Sequence, residues 1–337
     1  SVLVQELGGE RLGQLESLSS KPAAGASIGQ VHTARVGGAK VAVKIQYPGV
    51  AESIPSDLAM LRRFASGWLA LSGRRIGLED VFQELQTILE LEADYRHEAA
   101  CIERYRSRLL EDERFLVPAS FPELSSARVL TMAWVDGQSF GRWMSEAPDR
   151  EARRRVARAL LDLYCREFFE WGFVQTDPNP GNFLILEDGR IGLLDFGATL
   201  TYDDAFRSRY VTLLEVMAGG DDEALLAEGI DFGLLDAREG PEARALFVEM
   251  MRAAARPFDP QRQPFAFRDE DYHREARDLV FRFVQALRFT APPRRLLFLH
   301  RKLGGLFNIL KRLDVALDLT PYWERMVGAS IPRTLAS

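Results

Sequence analysis

The chain of 337 residues is 47% hydrophobic with a net charge of −6, enough for one two-lobed domain or two small ones, and it lacks the basic excess that would point to nucleic acid. No apolar run reaches the roughly 18 residues needed to cross a bilayer, no signal-peptide pattern is present, and Cys101 and Cys165 make neither a disulfide framework nor a zinc site, so a reducing, cytoplasmic setting is expected. Only five of the 43 basic residues are lysines; the arginine bias points to a GC-rich, bacterial genome, and any single lysine placed for chemistry stands out.

Residues 1–20 carry one short helical pattern, Val2, Leu3, Leu7, Leu12 and Leu15. Small residues then dominate from Pro22 to His32, with Ala24, Gly25, Ala26, Ser27 and Ile28 at the centre, and a β-branched run covers 38–45. The pattern is strand, tight turn, strand. Such a turn lets backbone N–H groups approach an anion closely, and it equally fits a plain hairpin. Lys44 ends a Val-Ala-Val-Lys strand, and an interior strand lysine needs an anionic partner because an unpaired buried charge is costly. A helix is predicted over 56–72 with Leu58, Leu61, Phe64, Ala65, Trp68 and Leu71 on one face, and a long helix over 79–110. In the latter, Asp94 and Glu98 are like-charged i,i+4 neighbours, either a solvated acidic face or the bracket of a cation such as Lys44. Two strands, 116–124 and 128–132, lead to a change of pattern at 133–137, which divides the chain into lobes of 1–135 and 136–337.

The helix predicted over 151–171 is the clearest in the chain and stops at Gly172. It leads into a stretch carrying Asp177, then Asn182 five residues on, then Asp195-Phe196-Gly197. The apolar runs 183–186 and 191–194, joined by Glu187-Asp188-Gly189, read as a hairpin that returns Asp195 to the neighbourhood of Asn182. Three oxygen-bearing side chains then converge, the donor type a hard cation such as Mg²⁺ takes alongside phosphates and water. Helices are predicted over 203–218, 221–230, 240–256, 269–288, 293–312 and 314–325. Arg294, Arg295, Arg301 and Lys302 fit a solvated or helix-pairing face, and 258–268, rich in proline, is expected to be the least ordered segment.

The order of parts resembles the protein kinase fold: small-residue loop, Val-Ala-Val-Lys strand, helix glutamate, hinge, Asp-x4-Asn, Asp-Phe-Gly. That resemblance implies an α+β bilobal architecture, a small β-rich N-lobe with added helices and a large helical C-lobe. The details are similar to the UbiB-like (ABC-one, or aarF-domain) atypical kinases. The matching segments are Ala24 to His32, Val41 to Val50, the Glu92-x-Asp94-Tyr95-x-x-Glu98-Ala99 motif and Asp177-Pro178-Asn179-Pro180-Gly181-Asn182.

The resemblance implies ATP (or ADP) and Mg²⁺ as cofactors. Lys44 would bridge the α/β-phosphates and pair with Glu98, Asn182 and Asp195 would hold Mg²⁺, and Asp177 would orient or deprotonate the acceptor. Adenine would lie between Val31 and Ala42 above and Leu184 below, bonded to backbone around Met132, Ala133 and Val135, with the 24–30 loop over the phosphates. Glu92 and Asp94 form a family acidic motif whose usual Lys-x-Gly-Gln partner lies far upstream; Arg11-Leu12-Gly13-Gln14 imitates it by coincidence. Gly25 departs from the Ala-rich loop, Ala133 replaces a frequent Glu, Gln175-Thr176 replaces the His-Arg of ordinary kinases, and no Ala-Pro-Glu follows Gly197. The implied function is an ATPase or small-molecule kinase supporting ubiquinone or other isoprenoid-lipid biosynthesis. Its partners would be a quinone-type lipid, a biosynthetic complex and peripheral contact with the inner membrane. The alternatives are a Ser/Thr protein kinase and a nucleotide-binding pseudokinase scaffold.

Overall fold

Strand alternation organises the first half of the molecule. Along Ala39–Gln46, Val41 and Val43 are fully buried on one side, and Ala42, Lys44 and Gln46 on the other. The computed structural model describes residues 2–72, 79–290, 294–329 and 331. It divides into two compact units, one of Ser1–Arg62, Phe82–Pro148 and Asn179–Thr199, the other of Arg63–Val81, Asp149–Pro178 and Leu200–Ser337.

The chain opens with helix α1 (Val2–Leu12) and strands β1 (Ala24–Ala26), β2 (Gly29–Val36) and β3 (Ala39–Gln46). Helices α2 (Val50–Ser72), α3 (Glu79–Glu92) and α4 (Tyr95–Arg108) follow, then β4 (Phe115–Leu116), β5 (Val129–Ala133), β6 (Gln138–Ser139) and α5 (Phe140–Ser145). After α6 (Arg150–Cys165) and β7 (Phe173–Gln175) comes the hairpin β8 (Phe183–Ile185) and β9 (Ile191–Leu193). The remainder is β10 (Thr199–Thr201), α7 (Asp204–Gly219), α8 (Asp222–Asp231), α9 (Pro241–Ala255), β11 (Phe265–Ala266), α10 (Glu270–Ala286), α11 (Arg294–Leu313), β12 (Ala316–Leu317) and α12 (Thr320–Val327).

In the first unit β1-β2-β3-β5 form an antiparallel sheet. Leu3, Leu7 and Leu15 pack with Val41, Val43, Leu124 and Val129, and each such leucine contributes roughly 1.5–3 kcal/mol through burial. Arg128 reaches back to Glu6 at 2.8 Å, tying α1 to β5. A second sheet runs β4-β9-β8-β6. The lobe boundary expected near residue 135 assigns 179–199 to the second half of the chain; here the β8–β9 hairpin belongs with the first unit, because β9 pairs with β4 and β8 with β6.

Three local expectations are corrected. The helix predicted over 79–110 is two helices: Asp94 leaves helical geometry (φ −112°, ψ 101°) and caps α4 by accepting the Arg96 N–H at 3.0 Å. Asp94 and Glu98 are therefore cap and first turn, not two charges on one helical face. The strand predicted over 116–124 is confined to Phe115–Leu116, followed by a helical turn at Pro122–Leu124, since Pro118 and Pro122 lack ladder donors. Helix α2 begins at Val50 and buries Ile54 and Leu58, whereas Leu61 and Phe64 are exposed and Ala65 is half-buried. The Trp68 and Leu71 side chains expected on that face, and those of Val81 and Ile88 in α3, lie outside the described residues, as do Pro292 and Pro293.

In the second unit α6 continues through a wider helical turn, Arg166–Trp171, and stops at Gly172. That turn presents Phe168, which meets Phe169, Tyr202 and Tyr210 edge-on at 4.9, 5.4 and 5.1 Å. Residues 258–268, expected to be weakly ordered, are tied down. β11 pairs with β12, and Gln263 donates to Pro257 O and Asp259 O while accepting the Leu319 N–H. The same pairing removes 314–319 from the helix predicted over 314–325, which starts only at Thr320.

The turn after α10 is built on a buried carboxylate. Glu239 accepts the N–H groups of Arg288, Phe289 and Thr290 and the Thr290 hydroxyl, at 2.8–3.0 Å for Oε1. Burial alone would raise its pKa, but the Phe289, Thr290 and Arg288 donors outweigh burial and hold it below the ordinary value. Glu239→Gln is expected to destabilise the chain by about 1.5–3 kcal/mol at neutral pH. A depressed folded pKa stabilises above the unfolded value and loses that contribution as pH falls through the folded one. The difference between wild type and variant should therefore shrink in urea titrations run below pH 4; a difference that grows on acidification would contradict this role.

Candidate active site

The first unit brings four elements to Lys44. Cross-strand partners share a sheet face, so the register Val31↔Lys44 and Ala42↔Met132 places Val31, Ala42, Lys44 and Met132 on one face, with Ala133, opposite Val41, on the other. On that face the Lys44 ammonium donates to Glu98 Oε1 at 2.5 Å and to Asp195 Oδ2 at 3.2 Å. Lys44 and Glu98 are almost wholly buried, whereas Asp195 keeps 26% of its side chain exposed.

Glu98 lies in the first turn of α4, where the open helix N–H groups favour a carboxylate. Burial drives its pKa up, Lys44 opposes the rise, and the balance sits at about 7. Burial lowers the Lys44 pKa, but Glu98 and Asp195 overcome this and raise it. Lys44 is charged under all ordinary conditions.

The Asp-Phe-Gly turn is locked to the same helix. The Phe196 N–H donates to Glu98 Oε1 at 3.3 Å, and the Phe196 ring packs on Tyr105 at 4.8 Å. Asp195 Oδ1 accepts the Gly197 N–H at 3.1 Å, which leaves Oδ2 toward Lys44. The Leu194 N–H donates to Asn182 O at 3.0 Å, so the hairpin closes with Asn182 and Asp195 at neighbouring ends of β8 and β9. The turn of that hairpin is at Glu187-Asp188-Gly189, as its sequence predicts.

Of the expected 24–30 loop, Ala24–Ala26 form strand β1 and Ser27-Ile28 the tip of the β1–β2 hairpin, with Ala24, Gly25 and Ser27 exposed and Ala26 and Ile28 half-buried. Gly29 is required for packing: a Cβ there would fall 2.2 Å from Ile45 O. Gly25 has open space around it, so its departure from alanine is sterically unforced. Val135 and Leu184 converge near Gly192, where a Cβ would meet Val135 Cγ1 at 3.0 Å and Leu184 Cβ at 3.5 Å. The Ala133 N–H is engaged by Ala119 O at 2.8 Å, and the Trp134 N–H by Lys40 O at 3.1 Å. Glu92 ends α3, and Asp94 caps α4.

Asp177 belongs to the second unit, joined to Asn182 through Pro178-Asn179-Pro180-Gly181. Its Oδ1 accepts from Arg301 of α11 at 2.8 Å. Of the two readings of its face, solvated or helix-pairing, Lys302 takes the second: it is buried, pairs with Glu167 at 3.1 Å and approaches Gln175 Oε1 at 3.4 Å. Two supporting residues escaped the sequence. Gln46 donates to Ala93 O at 2.6 Å, satisfying a carbonyl at the α3–α4 break; its signal was its place two residues after Lys44. Arg301 had no local signal at all.

A buried strand lysine held by a helix glutamate and by the aspartate of an Asp-Phe-Gly turn is the arrangement of a protein-kinase-like fold. The chain belongs to the ABC1 atypical kinase-like domain family, whose profile matches residues 1–228. It is 36% identical over 314 residues to the mitochondrial atypical kinase COQ8B of Danio rerio, covering 93% of this chain and 50% of that protein. Against the mitochondrial atypical kinase COQ8 of Saccharomyces cerevisiae it is 30% identical over 335 residues, covering 98% and 66%. The solved complex of Rv3197 with erythromycin, from Mycobacterium tuberculosis, superposes with a TM-score of 0.72 at 28% identity, covering 97% of this chain and 81% of that one. The chain spans about half to two thirds of the length of these curated relatives. Among the described residues no helix is long and apolar enough to cross a membrane.

Proposed function

We propose that this chain binds Mg-ATP and transfers its γ-phosphoryl group to water or a small hydroxyl acceptor, as an atypical kinase or ATPase. The observation that carries this is the buried Lys44–Glu98–Asp195 group: a cation held by two carboxylates, one of them partly open. The carboxylate of Asp195 and the amide oxygen of Asn182 are hard donors, and such a pair suits Mg²⁺ with phosphate and water completing its shell. Bound Mg²⁺ would neutralise charge on the phosphoryl oxygens.

Lys44 would hold the α/β-phosphates, with Glu98 fixing its direction. Ala24 to Ile28 would cover the phosphates. Val31, Ala42 and Met132 would face adenine from the sheet, with Leu184 and Val135 opposite. With the Ala133 N–H donated to Ala119 O, the Ala133 carbonyl and the Val135 N–H would bond the base. Asp177 would take the proton of the acceptor O–H as that oxygen bonds the γ-phosphorus and the bond to the β,γ-bridging oxygen breaks, releasing ADP. Helix α7 starts at Asp204, soon after Gly197, which leaves little chain for a peptide-docking segment and favours a small acceptor.

By family resemblance the acceptor chemistry would serve ubiquinone or another isoprenoid lipid, at the cytoplasmic face of a bacterial inner membrane and beside a biosynthetic complex. Calorimetric titration with ATP, with and without Mg²⁺, together with phosphate release in the presence of a phenolic quinone-headgroup analogue, tests this. One Mg²⁺-dependent nucleotide per chain and phenol-stimulated release are expected. A wild-type chain that binds no ATP with Mg²⁺ present would overturn the assignment.

A further inference from the structure

Asp177 is the group that would face the acceptor, yet the loop around it, Thr176 to Gly181, contains no basic residue. The cation beside its carboxylate comes from Arg301, far along the chain on α11. Three positions of α11 meet this loop or the segment that leads into it. Arg301 donates to Asp177, Lys302 pairs with Glu167 and approaches Gln175, and Gly305 passes so close to Pro178 that a Cβ would fall 2.1 Å from the ring. Arg301 and Gly305 are i,i+4 neighbours on one helix face, so the buried contact at 302 and the close approach at 305 fix where the Arg301 side chain begins.

We propose that Arg301 is a positioning residue for Asp177, holding its carboxylate in the orientation that receives the acceptor proton. This rests on the assignment of Asp177 above. The pair is too exposed to matter for stability: Arg301 is 54% and Asp177 27% exposed, and ion pairs of that kind are worth little to the fold. What the guanidinium supplies is direction. It is planar and stays charged, and its donation to Oδ1 favours one carboxylate orientation while Lys302 and Gly305 anchor the helix beneath it. Small misplacements of a reacting group cost much in rate and little in binding.

Arg301→Gln and Arg301→Lys test this, read by Mg-ATP-dependent phosphate release and thermal denaturation. Arg301→Gln is expected to lower kcat about 10- to 100-fold with KM for ATP within about twofold, the melting temperature unchanged, and part of kcat recovered in Arg301→Lys. Crystal structures of wild type and Arg301→Gln supply a readout free of turnover, with the Asp177 carboxylate expected to rotate in the variant. Wild-type kcat in Arg301→Gln, or an unmoved Asp177 carboxylate, overturns the proposal. Absence of phosphate release by the wild type would instead strike the proposed function, and the Asp177 orientation would still decide the role of Arg301.

Discussion

Asp177→Asn is expected to lower ATP turnover about 10²- to 10⁴-fold, the range a positioned general base supplies, while nucleotide affinity stays within about twofold. Asparagine keeps the shape of the side chain and an oxygen that can accept from Arg301, so the loop should hold its form. It cannot take the acceptor proton. Lys44, Glu98 and Asp195 are untouched, so ATP and Mg²⁺ should bind as before. Single-turnover phosphate release beside calorimetric titration separates the two quantities. Unchanged turnover in Asp177→Asn would remove Asp177 from the chemistry, whereas nucleotide binding with no turnover by the wild type would leave a nucleotide-binding scaffold as the better description.

Lys44→Met should fail in two ways at once. Phosphoryl transfer is expected to fall about 10²- to 10³-fold, as when one preorganised electrostatic partner is removed. Stability should fall too, by about 3–5 kcal/mol, because Glu98 is left buried without its cation. Glu98→Gln added to Lys44→Met is expected to restore most of the stability and none of the turnover. The pH dependence has a definite sign. Without Lys44 the Glu98 pKa moves further above its present value of about 7. A folded pKa raised above the unfolded one gives stability that is complete below the unfolded value and is lost as pH rises through the folded one. The variant should therefore be less destabilised at pH 5 than at pH 8 in urea titrations. A Lys44→Met chain as stable as wild type at both pH values would show that the pair is not the buried ion pair described.

Much of this site was legible because its signals are local. A lysine ending a Val-Ala-Val strand must find an anion wherever the strand is buried, and a hairpin of fixed length must return Asp195 to Asn182. Elsewhere the deciding partner was remote. The α3–α4 break depends on Gln46 and on the capping geometry of Asp94, neither of which disturbs helical periodicity. Lys302 fitted a solvated face or a helix-pairing one equally well, and only Glu167 and Gln175, remote in sequence, decide for the second. Proline content made 258–268 look loose, but Leu317 and Leu319, more than fifty residues on, hold it.

By itself the sequence determined the order of parts, the choice of Lys44, Glu98, Asp177, Asn182 and Asp195 as candidates, and membership of a kinase-like family, since these follow from residue type and short spacing. Only the tertiary structure decided that residues 179–199 pack with the first unit, that Glu98 serves Lys44 and Phe196 at once, and that Arg301 stands on Asp177. Those outcomes depend on which distant surfaces bury one another, and burial turns a lone charge or carbonyl into a demand for one specific partner.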